Sequence, residues 1–99
     1  MLRNYKKLPL YKWLPSSIDD NTVFFYFKDE EHNRLIFVEY WVDEETVAPA
    51  WQPASMKGEM MDDNAFSLTE KEREYFTKVC KYFTKVCKTE IEKKNGKGV

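Results

Sequence analysis

The sequence predicts an α+β domain, a small antiparallel sheet packed against one long C-terminal helix. Three observations predict it. Two β-branched and aromatic runs, residues 22–27 and 35–42, flank a short charged connection. A capping signature at residues 67–72 opens a long segment with apolar residues at helical spacing. The 99 residues are enough for one core of ordinary domain size.

Residues 1–15 hold Pro9 and Pro15 around Leu8, Leu10, Tyr11, Trp13 and Leu14. Proline removes an amide donor and fixes φ, so this stretch reads as an extended arm or edge strand rather than a helix. It carries four bases and no acid. Residues 16–21 form a polar turn.

Residues 22–27 and 35–42 form an antiparallel hairpin. Side chains alternate along a strand. The most amphipathic register sets Val23, Phe25 and Phe27 beside Ile36, Val38 and Tyr40, and that face is the expected core face. The opposite face is not polar, as the outer face of an antiparallel sheet usually is. It carries Phe24, Tyr26, Leu35, Phe37 and Trp41, with Glu39 as its mark of solvent.

Residues 43–66 read as a long loop containing Pro49, Pro53, Met56, Met60 and Met61. Proline resists both helix and central strand. Two strands alone are marginal, so a third is expected, near residues 45–47 or from the N-terminal arm.

The helix is expected over about residues 69–93, with a flexible tail at 94–99. Ser67 with Glu70 and Thr69 with Glu72 are overlapping capping pairs. Glutamates gather near the positive end of the helix and lysines near the negative end. One half of the wheel is apolar, from Tyr75 to Ile91. Lys78, Lys81, Lys85 and Lys88 centre the other half.

This helix contains a tandem duplication. Residues 75–81, YFTKVCK, are followed at once by an identical 82–88. Seven residues fall only about 20° short of two full turns, so each residue type keeps its face. The duplication reads either as a lengthened packing unit or as a short coiled-coil seam. In the second case Phe76, Val79, Phe83 and Val86 are the expected self-association residues.

Composition excludes several classes. Sixteen aliphatic Leu, Ile and Val residues, sixteen aromatics and a net charge of −1 disfavour disorder. No run approaches the roughly 18 apolar residues of a membrane-spanning helix. Pro9, Lys12 and Pro15 interrupt any signal-peptide core, so a cytoplasmic protein is expected. Cys80 and Cys87 lie about 10.5 Å apart along a helix, beyond disulfide reach, and read as reduced thiols.

No catalytic set emerges. His32 is the single histidine and stands in the charged connection beside Glu30 and Glu31, without the further ligands or apolar walls that a metal or acid–base site needs. Asp62–Asp63 lacks the spacing of a calcium loop. The three glycines form no phosphate-binding loop. The expectation is therefore no enzyme, no cofactor and no metal.

What remains is binding. Trp, Tyr, Phe and Met are enriched in interface cores. Trp13, Phe24, Tyr26, Phe37, Trp41, Trp51, Met56 and Met60 are the expected partner-binding residues. The partner is expected to be another protein, and the chain a small regulator or inhibitor that occupies its surface. Residues 16–74 carry fifteen acids against five bases. A narrower version of the reading therefore has acids beside aromatics mimicking nucleic acid, as small phage-encoded inhibitors do. Two alternatives stand beside it. One is nucleic-acid binding through the sheet aromatics and the lysine stripe, which the acidic middle opposes. The other is a structural homo-oligomerisation domain. A membrane-surface helix needs more than the lysine and apolar pattern that any sheet-covering helix shows.

Overall fold

The computed structural model describes residues 2, 4–62 and 64–97, and the side chains among them as far as residue 86. After a short 3-10 turn at Tyr5–Lys7 come the strands β1 (Leu10–Pro15), β2 (Thr22–Asp29), β3 (Arg34–Trp41), β4 (Thr46–Ala54) and β5 (Phe66–Ser67), then the helix α1 (Glu70–Lys97). The strands form one antiparallel sheet in the order β1-β2-β3-β4-β5. The chain is α+β: an open five-stranded sheet with one long helix on one face.

The hairpin forms in the amphipathic register. Val23 pairs with Tyr40, Phe25 with Val38 and Phe27 with Ile36. All six are buried, and they meet Val47, Trp51, Phe76 and Cys80 in the main core under the helix. Both strands run further into the connection than the apolar pattern suggests, and Asp29 pairs with Arg34 to close the hairpin. Between them, Glu30–His32 make a 3-10 turn that ends at Asn33 in the left-handed region.

The sheet differs from expectation most at residues 43–66. Most of this stretch is not a loop, because Thr46–Ala54 is a nine-residue strand beside β3. Pro53 pairs with Ile36 in the regular ladder, and Pro49 is accommodated by a bulge. The register jumps from Val38–Trp51 to Tyr40–Val47, so residues 48–50 together face Glu39. Pro49 lies in that bulge, where the regular ladder is interrupted. Its carbonyl accepts the Leu68 amide at 2.9 Å. After Ala54 the chain turns tightly at Gly58 (φ 89°) and returns to bridge Ala54 with Met60.

The N-terminal arm is the edge strand β1, with a bulge at Tyr11. The helix starts one residue after Thr69. The Thr69 hydroxyl accepts the Glu72 amide at 3.2 Å, and a Glu72 carboxylate oxygen accepts the Thr69 amide at 2.7 Å. That is a reciprocal capping box. Ser67, the competing cap, belongs to β5 instead. The helix continues through Lys97, past the expected end, and residues 98–99 of the expected tail lie outside the described residues. Among the described residues no helix is long and apolar enough to cross a membrane.

Candidate functional site: the open sheet face

The helix covers one face of the sheet. On the other face a second apolar cluster forms, built from buried Tyr26, Leu35 and Ala54, with Phe24, Phe37 and Met56 half-buried around them. The register explains it. Tyr26 pairs with Phe37 and with Lys12, Leu35 with Ala54, and Phe24 with Glu39 and Leu14. These residues alternate with the core residues and point away from the helix. The Phe24 and Phe37 rings lie 5.3 Å apart, and Phe37 and Tyr26 5.2 Å apart.

One side of this cluster is roofed. The tight turn after β4 brings Met56 onto it. Gly58 lies so close to Lys12 that an added Cβ would stand 2.8 Å from the ammonium. Lys12 in turn lies 4.8 Å from the centroid of the Tyr26 ring. Burial raises the Tyr26 phenol above its ordinary value. Toward the other end of the sheet Phe24 and Phe37 are half-buried. Leu14 beside them is 48% exposed. Trp41 is half-buried and donates its indole N–H to Glu39 at 3.3 Å.

The aromatic residues that the sequence singles out divide between the faces. Phe24, Tyr26, Phe37, Trp41 and Met56 belong to the open face. Trp13 and Trp51 do not. Trp13 pairs with Phe25 and Trp51 with Val38, so both pack with the main core. Trp51 stacks on Phe66 at 4.8 Å and carries the Arg34 guanidinium on its ring at 5.3 Å. Met60 is exposed beyond the roofing turn. Lys12, Leu14 and Glu39 join the aromatic surface, and sequence alone missed Lys12 and Leu14 because the Tyr11 bulge sets which β1 residues face outward.

The duplicated heptad serves two environments. In the first copy Phe76 and Cys80 are fully buried, Tyr75 donates its hydroxyl to the Lys6 carbonyl at 3.0 Å, and the Thr77 hydroxyl accepts the Val47 amide at 3.2 Å. In the second copy Phe83 and Val86 are half-buried, Tyr82 is 63% exposed, and the Thr84 hydroxyl is buried without a partner. A 28-residue helix extends about 42 Å, longer than the strands beneath it. The second copy therefore runs toward the sheet's margin. The Cys87 side chain lies outside the described residues.

Titratable groups elsewhere are arranged for structure. Asp29, Glu31 and His32 place potential metal donors within 4.8 Å of one another. However, one Asp29 oxygen already receives the Arg34 Nε–H at 3.1 Å and lies 2.9 Å from His32 Nδ1. The guanidinium balances that carboxylate and would repel a cation, so the set reads as the lock of the hairpin turn. A cleft of about 390 Å³ opens beside it, where Lys28 pairs with Glu30 at 3.6 Å. Burial pushes the Cys80 thiol far above its ordinary value, which removes it as a nucleophile. The acids collect in the connections. Asp19, Asp20, Asp43, Glu44 and Glu45 stand at one end of the sheet, and Glu30 and Glu31 at the other.

No protein-family model, no curated protein and no solved structure matches the chain.

Proposed function

We propose that this protein is a non-enzymatic interaction module, a small regulator or inhibitor that works by laying its open sheet face on the surface of another protein. One observation carries the reading. Aromatic and aliphatic side chains cluster on the face opposite the helix, and toward one end of that face Phe24, Phe37 and Trp41 stay half-buried beside the 48% exposed Leu14. Phe, Tyr, Trp and Met are the side chains that interface cores favour. Glu39 is the one acid among the strand residues of this face, since Asp29 alternates onto the helix side and the other described acids stand in the connections or on the helix. Apolar contact therefore supports the reading better than nucleic-acid mimicry, which needs charges spread along the contact face.

Affinity capture at low and high salt tests it, with the wild type compared to Phe24→Ser and Phe37→Ser. Both variants remove half-buried rings, so far-UV circular dichroism must first show them folded. The expected result is a captured protein whose recovery survives high salt and falls about tenfold in each variant, the size of a single interface hot spot. Recovery that vanishes with salt and ignores both substitutions would overturn the reading.

A further inference from the structure

We propose that the turn after β4 is an oxidation-sensitive lid: a peroxide that converts Met56 to its sulfoxide lifts the turn and uncovers Tyr26, Leu35 and Ala54. As a means of regulating the open face the lid rests on the interaction-module reading, while its chemistry and its opening stand apart from any partner.

Three of the chain's four methionines, Met56, Met60 and Met61, fall at this turn. Met60 and Met61 are exposed, and Met56 lies half-buried on the Tyr26, Leu35 and Ala54 cluster. An accessible thioether is a common target of oxidation, and its product is a polar side chain where an apolar one stood.

Little else holds the turn to the face. The Ser55 amide donates to the Glu59 carbonyl at 2.7 Å, the Gly58 amide to the Ser55 carbonyl at 2.8 Å and the Met61 amide to the Pro53 carbonyl at 3.0 Å. The Ser55 hydroxyl accepts the Lys57 and Glu59 amides. These bonds keep the turn in shape and tie it to its own strand. Among the described residues, its contacts with the rest of the face are the Met56 side chain and the approach of Gly58 to Lys12, which reaches from β1 over the Tyr26 ring. The end of β4 is therefore the hinge, and Met56 is the latch.

The step is a two-electron oxidation. The Met56 sulfur attacks one peroxide oxygen, an S–O bond forms and the O–O bond breaks. Hydroxide leaves and takes up the proton of the transferred oxygen, so hydrogen peroxide is reduced to water. The sulfoxide oxygen is a hydrogen-bond acceptor, and the side chains of Leu35, Ala54, Phe24 and Phe37 offer it no donor. A polar group buried without a partner is costly, so the oxidised side chain turns to water and carries the turn with it. Met60 and Met61 are already exposed and gain the same oxygen without leaving a core. Enzymatic reduction of the sulfoxide closes the lid again.

Nitration by tetranitromethane, located by peptide mass spectrometry before and after hydrogen peroxide treatment, tests the proposal on the full chain. Tyr26 reports the lid, and Tyr40, buried in the main core, reports unfolding. Peroxide is expected to convert Met56 and to speed Tyr26 nitration about tenfold, with Tyr40 unchanged. Met56→Leu keeps the apolar contact and the chain's other oxidisable groups, and in it peroxide is expected to leave Tyr26 protected. Met56→Gln is expected to expose Tyr26 without peroxide. Circular dichroism establishes that both variants fold. A Met56 that stays unoxidised while Met60 and Met61 convert, a Tyr26 that stays protected once Met56 is oxidised, equal exposure of Tyr26 in Met56→Leu, or a Tyr40 that becomes reactive together with Tyr26 would each overturn the lid. Opening as expected, with no protein captured by either the oxidised or the reduced chain, would support the lid and overturn the interaction-module reading.

Discussion

Glu72 holds the helix to both of its neighbours: one carboxylate oxygen accepts the Thr69 amide at 2.7 Å and the other accepts the Leu2 amide. A charged residue in the first helical turn would ordinarily face water. Here it is fully buried, and it ties the chain start to the helix start.

The acid limb of stability follows from that contact. Burial alone would raise the Glu72 carboxyl, but the Thr69 and Leu2 amides with the Thr69 hydroxyl outweigh it and hold the group below its ordinary value of 4.5. A carboxyl lowered on folding stabilises fully above the unfolded value, and that stability is lost as pH falls below 4.5 through the folded value. Urea midpoints measured from neutral pH to about pH 3 are expected to fall for the wild type and to fall less steeply for Glu72→Gln. Glu72→Ala is expected to cost about 1–3 kcal/mol at neutral pH, since the buried Leu2 amide and the part-buried Thr69 amide lose their acceptor.

The two copies of the heptad are expected to respond oppositely to one substitution. Thr77→Val removes the acceptor of the Val47 amide, at a cost of about 1–2 kcal/mol. Thr84→Val removes a buried hydroxyl that bonds to nothing and is expected to be neutral or slightly stabilising. Chemical denaturation of the two variants checks the contrast. Equal destabilisation would mean that the copies pack equivalently.

Cys80 is expected to resist modification. Burial holds its thiol in the protonated, unreactive form. In a Cys87→Ser background at about pH 8, alkylation is expected to be at least about a hundredfold slower in native buffer than in urea, because the thiol is reached only through opening of the helix. Comparable rates in the two conditions would place Cys80 at the surface.

The sequence carries much of this architecture in its local patterns. Alternation between residues 22 and 42 specifies which side chains enter the core, because a one-residue slip would turn every phenylalanine to the other face. The Thr69–Glu72 spacing specifies the helix start. What sequence could not show depends on contacts between distant residues. Pro49 argues against a strand until the bulge opposite Glu39 is known. Trp13 and Trp51 look alike with Trp41 in composition, but pairing with Phe25 and Val38 takes them under the helix. Lys12 becomes part of the open face only because Tyr11 is bulged out of register. The aromatic second face itself was legible, and the roof that Met56 gives part of it was not.

Site-specific photocross-linking addresses the open face most directly. A benzophenone side chain is placed at position 37 in one variant and at position 82, on the exposed face of the helix, in another. Both are irradiated in the cells that produce the protein. The expected result is a discrete protein adduct from position 37, either a second copy of the chain or another protein, and none from position 82. Adducts from position 82 alone, or from neither position, would contradict the assignment of the open sheet face as the contact surface.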